Sequence, residues 1–391
     1  MIDYDKPILK DGKPLKIGML AQHHCIRCIK ESRALQKVGY TVYGNGNKVS
    51  YGTDGYENYH VWQNERQFKN SVKQLIDSDV SIIHWANEPD LQAVWIREVI
   101  NEMHKEKDVK LVCDLHDLDS VRRKFIPIPE RELFNASDAV VYVSLPIQES
   151  SNKLHKYTKP NIALFHYCNE GIIDYDPNLI NERKGLVYQG GANPPNDKKQ
   201  NQMFQYRNLH PIMKRIVEMG NEVHMFCGNI TAYDTYQDTG AILYPPTQYD
   251  EMMEKLTHYK YGLAICNNPN YTEDQVNLTL TNKMFEYLMC GLPTIASWCP
   301  ETEKYIEKWN IGFTFKHIND IGNTAQLSAK YQEVMDNIAK LRKELVMERF
   351  IWKLENLYAE VLGVEKKQVP DDILELSKKE YGKIEDFLIS S

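Results

Sequence analysis

The sequence predicts an α/β protein built as two parallel units in series. Three observations carry that prediction. Short apolar stretches alternate with helical stretches from residue 15, and the same alternation restarts at Gly185. A polar stretch, residues 169–184, separates the two runs. The 391 residues exceed what one hydrophobic core usually organises.

Taken in order, residues 15–21 read as a strand, 26–38 as an amphipathic helix and 40–43 as a second strand. Residues 80–84 and 110–114 read as strands on either side of a helix over 91–103, and 139–143 as a further strand. Near-continuous apolar runs of this length suit parallel strands covered on both faces. In the second run, Leu186-Val187-Tyr188 leads into Gly190-Gly191, a helix is expected over 203–219, and Gly220-Asn221 breaks it before a strand over 222–226. Strands over 241–243, 261–265, 294–296 and 312–315 follow, with helices between them. Past Asn323 the pattern is helical, and the charged, amphipathic tail 364–391 reads either as a packing helix or as a partner contact.

Composition narrows the function classes. Hydrophobic residues make up 42% and charged residues 26%, as in soluble globular proteins, and no run of eighteen apolar residues occurs. The start, MIDYDKPILKDGKPLK, lacks the apolar core of a signal peptide, so a cytoplasmic protein with at most peripheral membrane association is expected. Eight cysteines sit mostly in or beside apolar runs, as small core residues do in a reducing compartment. Cys25-x-x-Cys28, preceded by His23 and His24, is the one cluster suggestive of a metal, but four adjacent residues opening a helix make a poor tetrahedron, so no metal site is expected. A net charge of −7 argues against a nucleic-acid partner, with Arg122-Arg123-Lys124 as a local basic patch. After the first strand the chain reads Ala21-Gln22-His23-His24-Cys25, without the Gly-x-Gly-x-x-Gly of nicotinamide dehydrogenases, and no Walker A loop occurs.

Residues 277–297, NLTLTNKMFEYLMCGLPTIAS, carry the most chemistry. A helix starting near Thr281 puts Met284, Phe285, Leu288 and Met289 on one face, Gly291 suits a left-handed C-cap, and Pro293 ends the helix before a β-branched strand. Glu286 then falls in the first or second turn, where a carboxylate can bind a sugar diol while the free amides of the helix start suit a phosphate. The plainer reading is a glutamate complementing the helix dipole.

The strings Asn282-Lys283-Met284-Phe285-Glu286-Tyr287-Leu288 and Cys290-Gly291-Leu292-Pro293-Thr294-Ile295-Ala296-Ser297 resemble the nucleotide-sugar-binding segment of GT-B-fold glycosyltransferases, especially glycosyltransferase family 4 (glycosyl transferases group 1). The resemblance implies a GT-B architecture, two Rossmann-like domains facing across a cleft. Residues 1–172 would take the acceptor, 173–345 the nucleotide sugar, and the helices of 346–391 would return to the first domain. It implies that Glu286 holds the donor ribose, with Thr281, Asn282 and Lys283 at the helix start. Gly190 and Gly191, with Lys198, Lys199 and Arg207 beyond them, would clamp the diphosphate, although a solvated loop explains Lys198 and Lys199 equally well. One departure stands out: many members carry a further glutamate eight positions before the ribose glutamate, and this chain has Leu278 there.

Polar residues also crowd the expected strand ends of the first run. His84 is followed by Trp85-Ala86-Asn87-Glu88-Pro89, and the 110–114 strand by Leu115-His116-Asp117-Leu118-Asp119. Groups at such ends stand where substrates bind in open parallel sheets. Asp114 and His116 share a face if the strand persists, and Asp117 then points the other way. Either Asp114 or Asp117 alone is more often a turn former or helix cap than a catalyst, and a lone histidine ending an apolar strand, such as His84, is usually a core residue. By resemblance, His116, Asp117 and Asp114 are the catalytic candidates, and His84 and Asn87 stand on the acceptor side. The expected reaction moves a sugar from a nucleoside diphosphate sugar to a glycan, lipid-linked or other hydroxyl acceptor. Family grounds favour a retaining course, and neither a cofactor nor a metal is required. The competing readings are a nucleotide-sugar epimerase, a glycosyltransferase acting on nucleic acid, and a catalytically silent nucleotide-sugar-binding protein.

Overall fold

The computed structural model describes residues 3–382 apart from 23, 50, 87–91, 104–106, 175, 177–181, 199–203, 323–326 and 328. The chain forms two units, residues 1–169 with 346–377, and residues 170–345 with 378–391.

The first unit holds a parallel sheet of seven strands: β1 (Lys16–Leu20), β2 (Thr41–Gly46), β3 (Asn58–Val61), β4 (Ile82–Ala86), β5 (Lys110–Leu115), β6 (Ala139–Tyr142) and β7 (Asn161–Ala163). Their order is β3-β2-β1-β4-β5-β6-β7, the doubly wound arrangement in which the chain returns to the middle of the sheet after its third strand. Edge strand β3 and the helix Glu65–Asp77 were not expected from the sequence. The strand is mostly exposed and carries no apolar run, so hydrophobic patterning cannot reveal it. Strand β4 lies two residues later than expected because Trp85 and Ala86 are buried and pair with Cys113 and Asp114 of β5. His84 is therefore inside a strand, not at its end. Helix α1 (Ile26–Val38) follows β1 and closes on Gly39 in the left-handed region.

The C-terminal part of this unit is tied to its sheet. Val346 bridges Cys168, Phe350 stacks on Tyr167 at 4.3 Å between ring centres, and a long helix, Trp352–Leu362, follows. In the tail, the helix Asp371–Lys379 buries Ile373 and Leu376.

The second unit repeats the plan with six parallel strands: β8 (Lys184–Gly190), β9 (Val223–Cys227), β10 (Ile242–Tyr244), β11 (Tyr259–Ile265), β12 (Thr294–Ser297) and β13 (Gly312–Thr314), in the order β10-β9-β8-β11-β12-β13. The helix expected over 203–219 is instead a 3-10 turn, Gln205–Arg207, followed by a helix over His210–Glu218. Pro211 explains the later start, because proline lacks an N–H and is accommodated only in the first turn of a helix. Ile212, Met213 and Ile216 of this helix join Leu186, Met225, Leu263 and Ile295 in the core. Gly262 is needed where it stands, since a Cβ there would lie 2.3 Å from the ring of Tyr287.

One buried histidine makes the first unit acid-sensitive. His24 is 1% exposed between β1 and α1, with Nδ1 2.6 Å from the Tyr56 hydroxyl and Nε2 2.8 Å from the Asn45 carbonyl oxygen. Burial lowers its pKa to about 4. The unfolded chain binds this proton near pH 6.5 and the folded chain does not, so the stabilisation is complete above that value and is lost as pH falls toward 4. The full difference is about 3 kcal/mol. Urea unfolding monitored between neutral pH and pH ~4 should show this loss, and His24→Gln should flatten the curve over that window. An unchanged slope in the variant would remove His24 as its cause.

Candidate functional site

In the second unit the topology reverses between β8 and β11, and open parallel sheets bind ligands beyond the carboxyl ends of strands at such a point. Strand β8 ends there in Gln189-Gly190, and Gly191 follows. Gly190 has φ +125°, a conformation glycine tolerates and side-chain-bearing residues rarely adopt. A Cβ on it would come within 3.1 Å of Lys283 Cε, so the lysine stem lies directly over this turn. The carbonyl of Gly190 accepts from the Gly228 amide at 2.9 Å, and the Tyr188 hydroxyl donates to the Gly191 carbonyl at 2.8 Å, which fixes the turn from both sides.

Helix α2 (Asn282–Cys290) follows β11 and brings its start to the same turn. Its C-cap is Gly291 at φ 73°. At its N-terminus Thr281 is extended, its hydroxyl makes no cap, and the first turn contains no acidic residue. Among the described residues, the Thr281 Oγ1 and Asn282 Oδ1 atoms are buried without a hydrogen-bond partner. The helix dipole and the Thr281 hydroxyl are thus available to an anion, while Asn282 Oδ1, an acceptor, is available to a hydroxyl or amide donor. Glu286, the fifth helical residue, is 2% exposed and accepts a hydrogen bond from the side-chain amide of Gln189. Gln189 was not singled out in the sequence. The available signal was a polar side chain at the end of the apolar run Leu186-Val187-Tyr188.

Two cations flank the glycine turn. Lys283 Nζ lies 5.1 Å from the centre of the Tyr188 ring, and burial lowers its pKa, with Arg207 adding to the effect. The Arg207 guanidinium carbon lies 5.3 Å and 5.4 Å from the Phe204 and Tyr206 rings, and Arg207 Nη1 would be 3.8 Å from a Cβ on Gly191. The Arg207 guanidinium thus lies beside Gly191 and against both aromatic rings. Lys198 is exposed, and Lys199 lies outside the described residues. A carboxylate, two cations, two glycines and an open helix start thus meet at one strand end. That set can bind a diol and a diphosphate together.

The first-unit candidates divide differently. Asp114 and His84 are fully buried. Arg27 Nε of α1 lies 2.7 Å from Asp114 Oδ2 and 3.0 Å from Glu31 Oε1, and His84 Nε2 lies 3.5 Å from both Glu31 Oε2 and Asp114 Oδ2. The Tyr358 hydroxyl is 2.7 Å from His84 Nδ1 and donates to it when the imidazole proton sits on Nε2, facing the carboxylates. Burial works against ionisation of Asp114, but Arg27 and His84 outweigh it and hold its pKa far below the usual range. Burial pushes Glu31 well above its usual value. Among the described residues, Glu31, His84 and Asp114 form a group close enough to ligate a metal, all donor atoms within 4.8 Å. The Arg27 guanidinium already occupies the space at Asp114 Oδ2. Asp114 and His84 therefore belong to a buried ionic core behind the strand ends and do not present themselves to a substrate.

Strand β5 stops at Leu115, so the alternation expected to carry Asp114 and His116 to one face ends before His116. His116 and Asp117 are half-buried. Asp117 and Asp119 form an Asp-x-Asp pair whose carboxylates both lie close to Arg122, at 3.3 Å and 3.2 Å. Burial opposes protonation of His116, but the charges of Cys25, Asp117 and Asp114 overcome it and raise its pKa. A histidine shifted that way offers a positive charge and a donor more readily than a base. Asn87 lies outside the described residues.

Residues 218–356 match the family described as Glucosyltransferase 3-like, C-terminal domain. No curated protein matches the sequence. Among solved structures, the fold is similar to sucrose-phosphate synthase from Thermosynechococcus elongatus, with a TM-score of 0.60 at 11% identity over 89% of this chain and 99% of that one. It is similar to a glycosyltransferase from Rickettsia africae ESF-5, with a TM-score of 0.61 at 11% identity over 90% of this chain and 99% of that one. It is also similar to WaaG, a glycosyltransferase involved in lipopolysaccharide biosynthesis, with a TM-score of 0.61 at 9% identity over 88% of this chain and 99% of that one. The chain has the GT-B fold, with two Rossmann-like units in series. Among the described residues no helix is long and apolar enough to cross a membrane.

Proposed function

We propose that the protein is a glycosyltransferase that moves a sugar from a nucleoside diphosphate sugar to an acceptor hydroxyl. The observation that carries this reading is the seat of Glu286: a buried carboxylate at a helix start, braced by Gln189, beside two cations and the Gly190-Gly191 turn. In this reading Glu286 accepts hydrogen bonds from the donor ribose. The Gly190-Gly191 backbone, Lys283, Arg207 and the amides that follow Thr281 and Asn282 neutralise the diphosphate as it departs. His116, held toward its charged form, and Asp117 serve the acceptor end of the reaction, which takes place in the cytoplasm with a retaining course and no metal. The acceptor is a glycan, a lipid-linked glycan or another hydroxyl compound.

Thermal-shift and calorimetric titrations with UDP, GDP, ADP, CMP and their sugar conjugates test the donor site. Selective stabilisation by one nucleoside diphosphate is expected, amounting to about 2.7 kcal/mol at a hundredfold excess over Kd. If none of them shifts the melting temperature, the donor assignment fails. Leu278, in place of the glutamate found in many family 4 members, favours a second reading in which the nucleotide is held without transfer. Nucleotide release in the presence of an acceptor, lost in Glu286→Ala, separates the two.

A further inference from the structure

Helix α1 opens on a cysteine pair that the proposed sugar transfer does not use. Cys25 is the N-cap and Cys28 sits one turn on, with the two sulfur atoms 3.8 Å apart. Cys25 is partly exposed and Cys28 is fully buried. Residues three apart at a helix start have Cα atoms ~5 Å apart, inside the range a disulfide spans, so bond formation needs side-chain rotation and no rearrangement of the sheet. The helix has no side-chain N-cap and no acid in its first turn, and its free amides and dipole favour a negative sulfur at this position. All eight cysteines are free thiols, so the pair is in its reduced form.

We infer that Cys25 and Cys28 form a thiol–disulfide exchange site whose oxidant is a low-molecular-weight disulfide such as oxidised glutathione. In the first step the Cys25 thiolate attacks one sulfur of the small disulfide. A bond forms to Cys25, the original S–S bond breaks, and one small thiolate leaves and takes a proton from water. In the second step Cys28 gives its proton to water, attacks the Cys25 sulfur, and expels the second small thiolate. Two protein thiols are oxidised to one disulfide while one small disulfide is reduced to two thiols.

The division of labour follows the surroundings. Hydrogen bonding from Cys28 lowers the Cys25 pKa to about 5, with His116 assisting against the cost of burial. The same hydrogen bond, together with burial, raises Cys28 well above its usual value. Cys25, the partly exposed residue whose thiol is held toward its ionised form, is thus the nucleophile, and the fully buried Cys28 resolves the mixed disulfide. Oxidation also removes a negative charge that holds His116 protonated, so the redox state of the pair reaches a residue placed at the acceptor end.

The test exposes the full-length protein to oxidised glutathione, quenches with acid and maps the cysteines by peptide mass spectrometry. Wild type is expected to lose two hydrogen atoms from the peptide holding Cys25 and Cys28. Cys28→Ser is expected to keep a glutathionyl group on Cys25, and Cys25→Ser to show neither product. Cys266 and Cys299, whose thiols are hydrogen-bonded to each other, are the internal comparison: oxidation there with Cys25 and Cys28 left reduced overturns the inference, as does glutathionylation of Cys28 in place of Cys25. If Cys28→Ser does not fold, the wild-type mapping still decides. NMR titration of the His116 ring is expected to show a lower pKa in the oxidised protein, and an unchanged value removes the link to His116. No nucleotide enters this experiment, so its outcome is independent of the transferase reading.

Discussion

Glu286→Gln should leave the melting temperature of the nucleotide-free protein nearly unchanged while weakening nucleoside diphosphate binding by about 10- to 100-fold. The physical basis is the difference between Gln189 and a ribose diol as hydrogen-bonding partners of Glu286. Gln189 donates to one carboxylate oxygen, and a glutamine at 286 can still accept that bond through its carbonyl. A ribose diol bound by a carboxylate makes charge-assisted hydrogen bonds, which contribute about 1.5–3 kcal/mol each, and the neutral amide loses that increment. Glu286→Ala goes further, because it also leaves the buried Gln189 amide without its acceptor, and should lower the stability of the free protein by about 1–3 kcal/mol. Calorimetric titration of both variants with the nucleotide selected by wild type reads the first effect, and urea unfolding reads the second. Undiminished binding by Glu286→Gln would remove the carboxylate from the donor site and with it the main support for the proposed function.

The largest stability effect is expected in the first unit, at Arg27. Its guanidinium is the cation at 2.7 Å from Asp114 and 3.0 Å from Glu31, in a site with no exposure to water. Arg27→Met fills the space but strands two buried carboxyl groups, and breaking a buried ion pair on one side costs about 3–5 kcal/mol. The contribution of Asp114 to the pH dependence should also change sign, while the raised pKa of Glu31 already makes its own contribution fall as pH rises in wild type. In wild type the lowered pKa of Asp114 contributes stability that is present above its unfolded value near 3.9 and is lost as pH falls toward the folded one. Without Arg27, burial dominates and raises the Asp114 pKa, so stability is lost as pH rises above ~4. Urea unfolding should therefore find Arg27→Met less stable at pH ~7 than at pH ~5, and combining it with Glu31→Leu should recover part of the loss. A cost below about 1 kcal/mol with an unchanged pH profile would show that the network carries no net charge coupling.

What could be read from the sequence lies within a few residues of where it was written. The helix over 282–290 declared itself through Met284, Phe285, Leu288 and Met289 at helical spacing, and Gly291 and Pro293 marked its end. Gly190 announced a turn. Strand β3 did not declare itself, because an exposed edge carries no apolar period, and the start of the helix over His210–Glu218 depended on giving Pro211 its due. Cys25-x-x-Cys28 was visible as a motif, yet its sequence said nothing of the difference in exposure that makes the two sulfurs unequal.

The class of the fold and the place of the glutamate-bearing helix were legible in the amino-acid order, because periodicity, caps and breakers are local and act through neighbours a turn or a strand away. Which polar residues gather at a strand end and which are walled in depends on contacts between residues distant in the chain. Gln189 meets Glu286 from 97 positions away, and Arg27 meets Asp114 from 87. Those meetings depend on the order of strands in each sheet, which no local pattern records. The same geometry that brings Glu286 to a strand end with cations beside it puts Asp114 and His84 behind one, although the sequence set both of those at the ends of apolar strands.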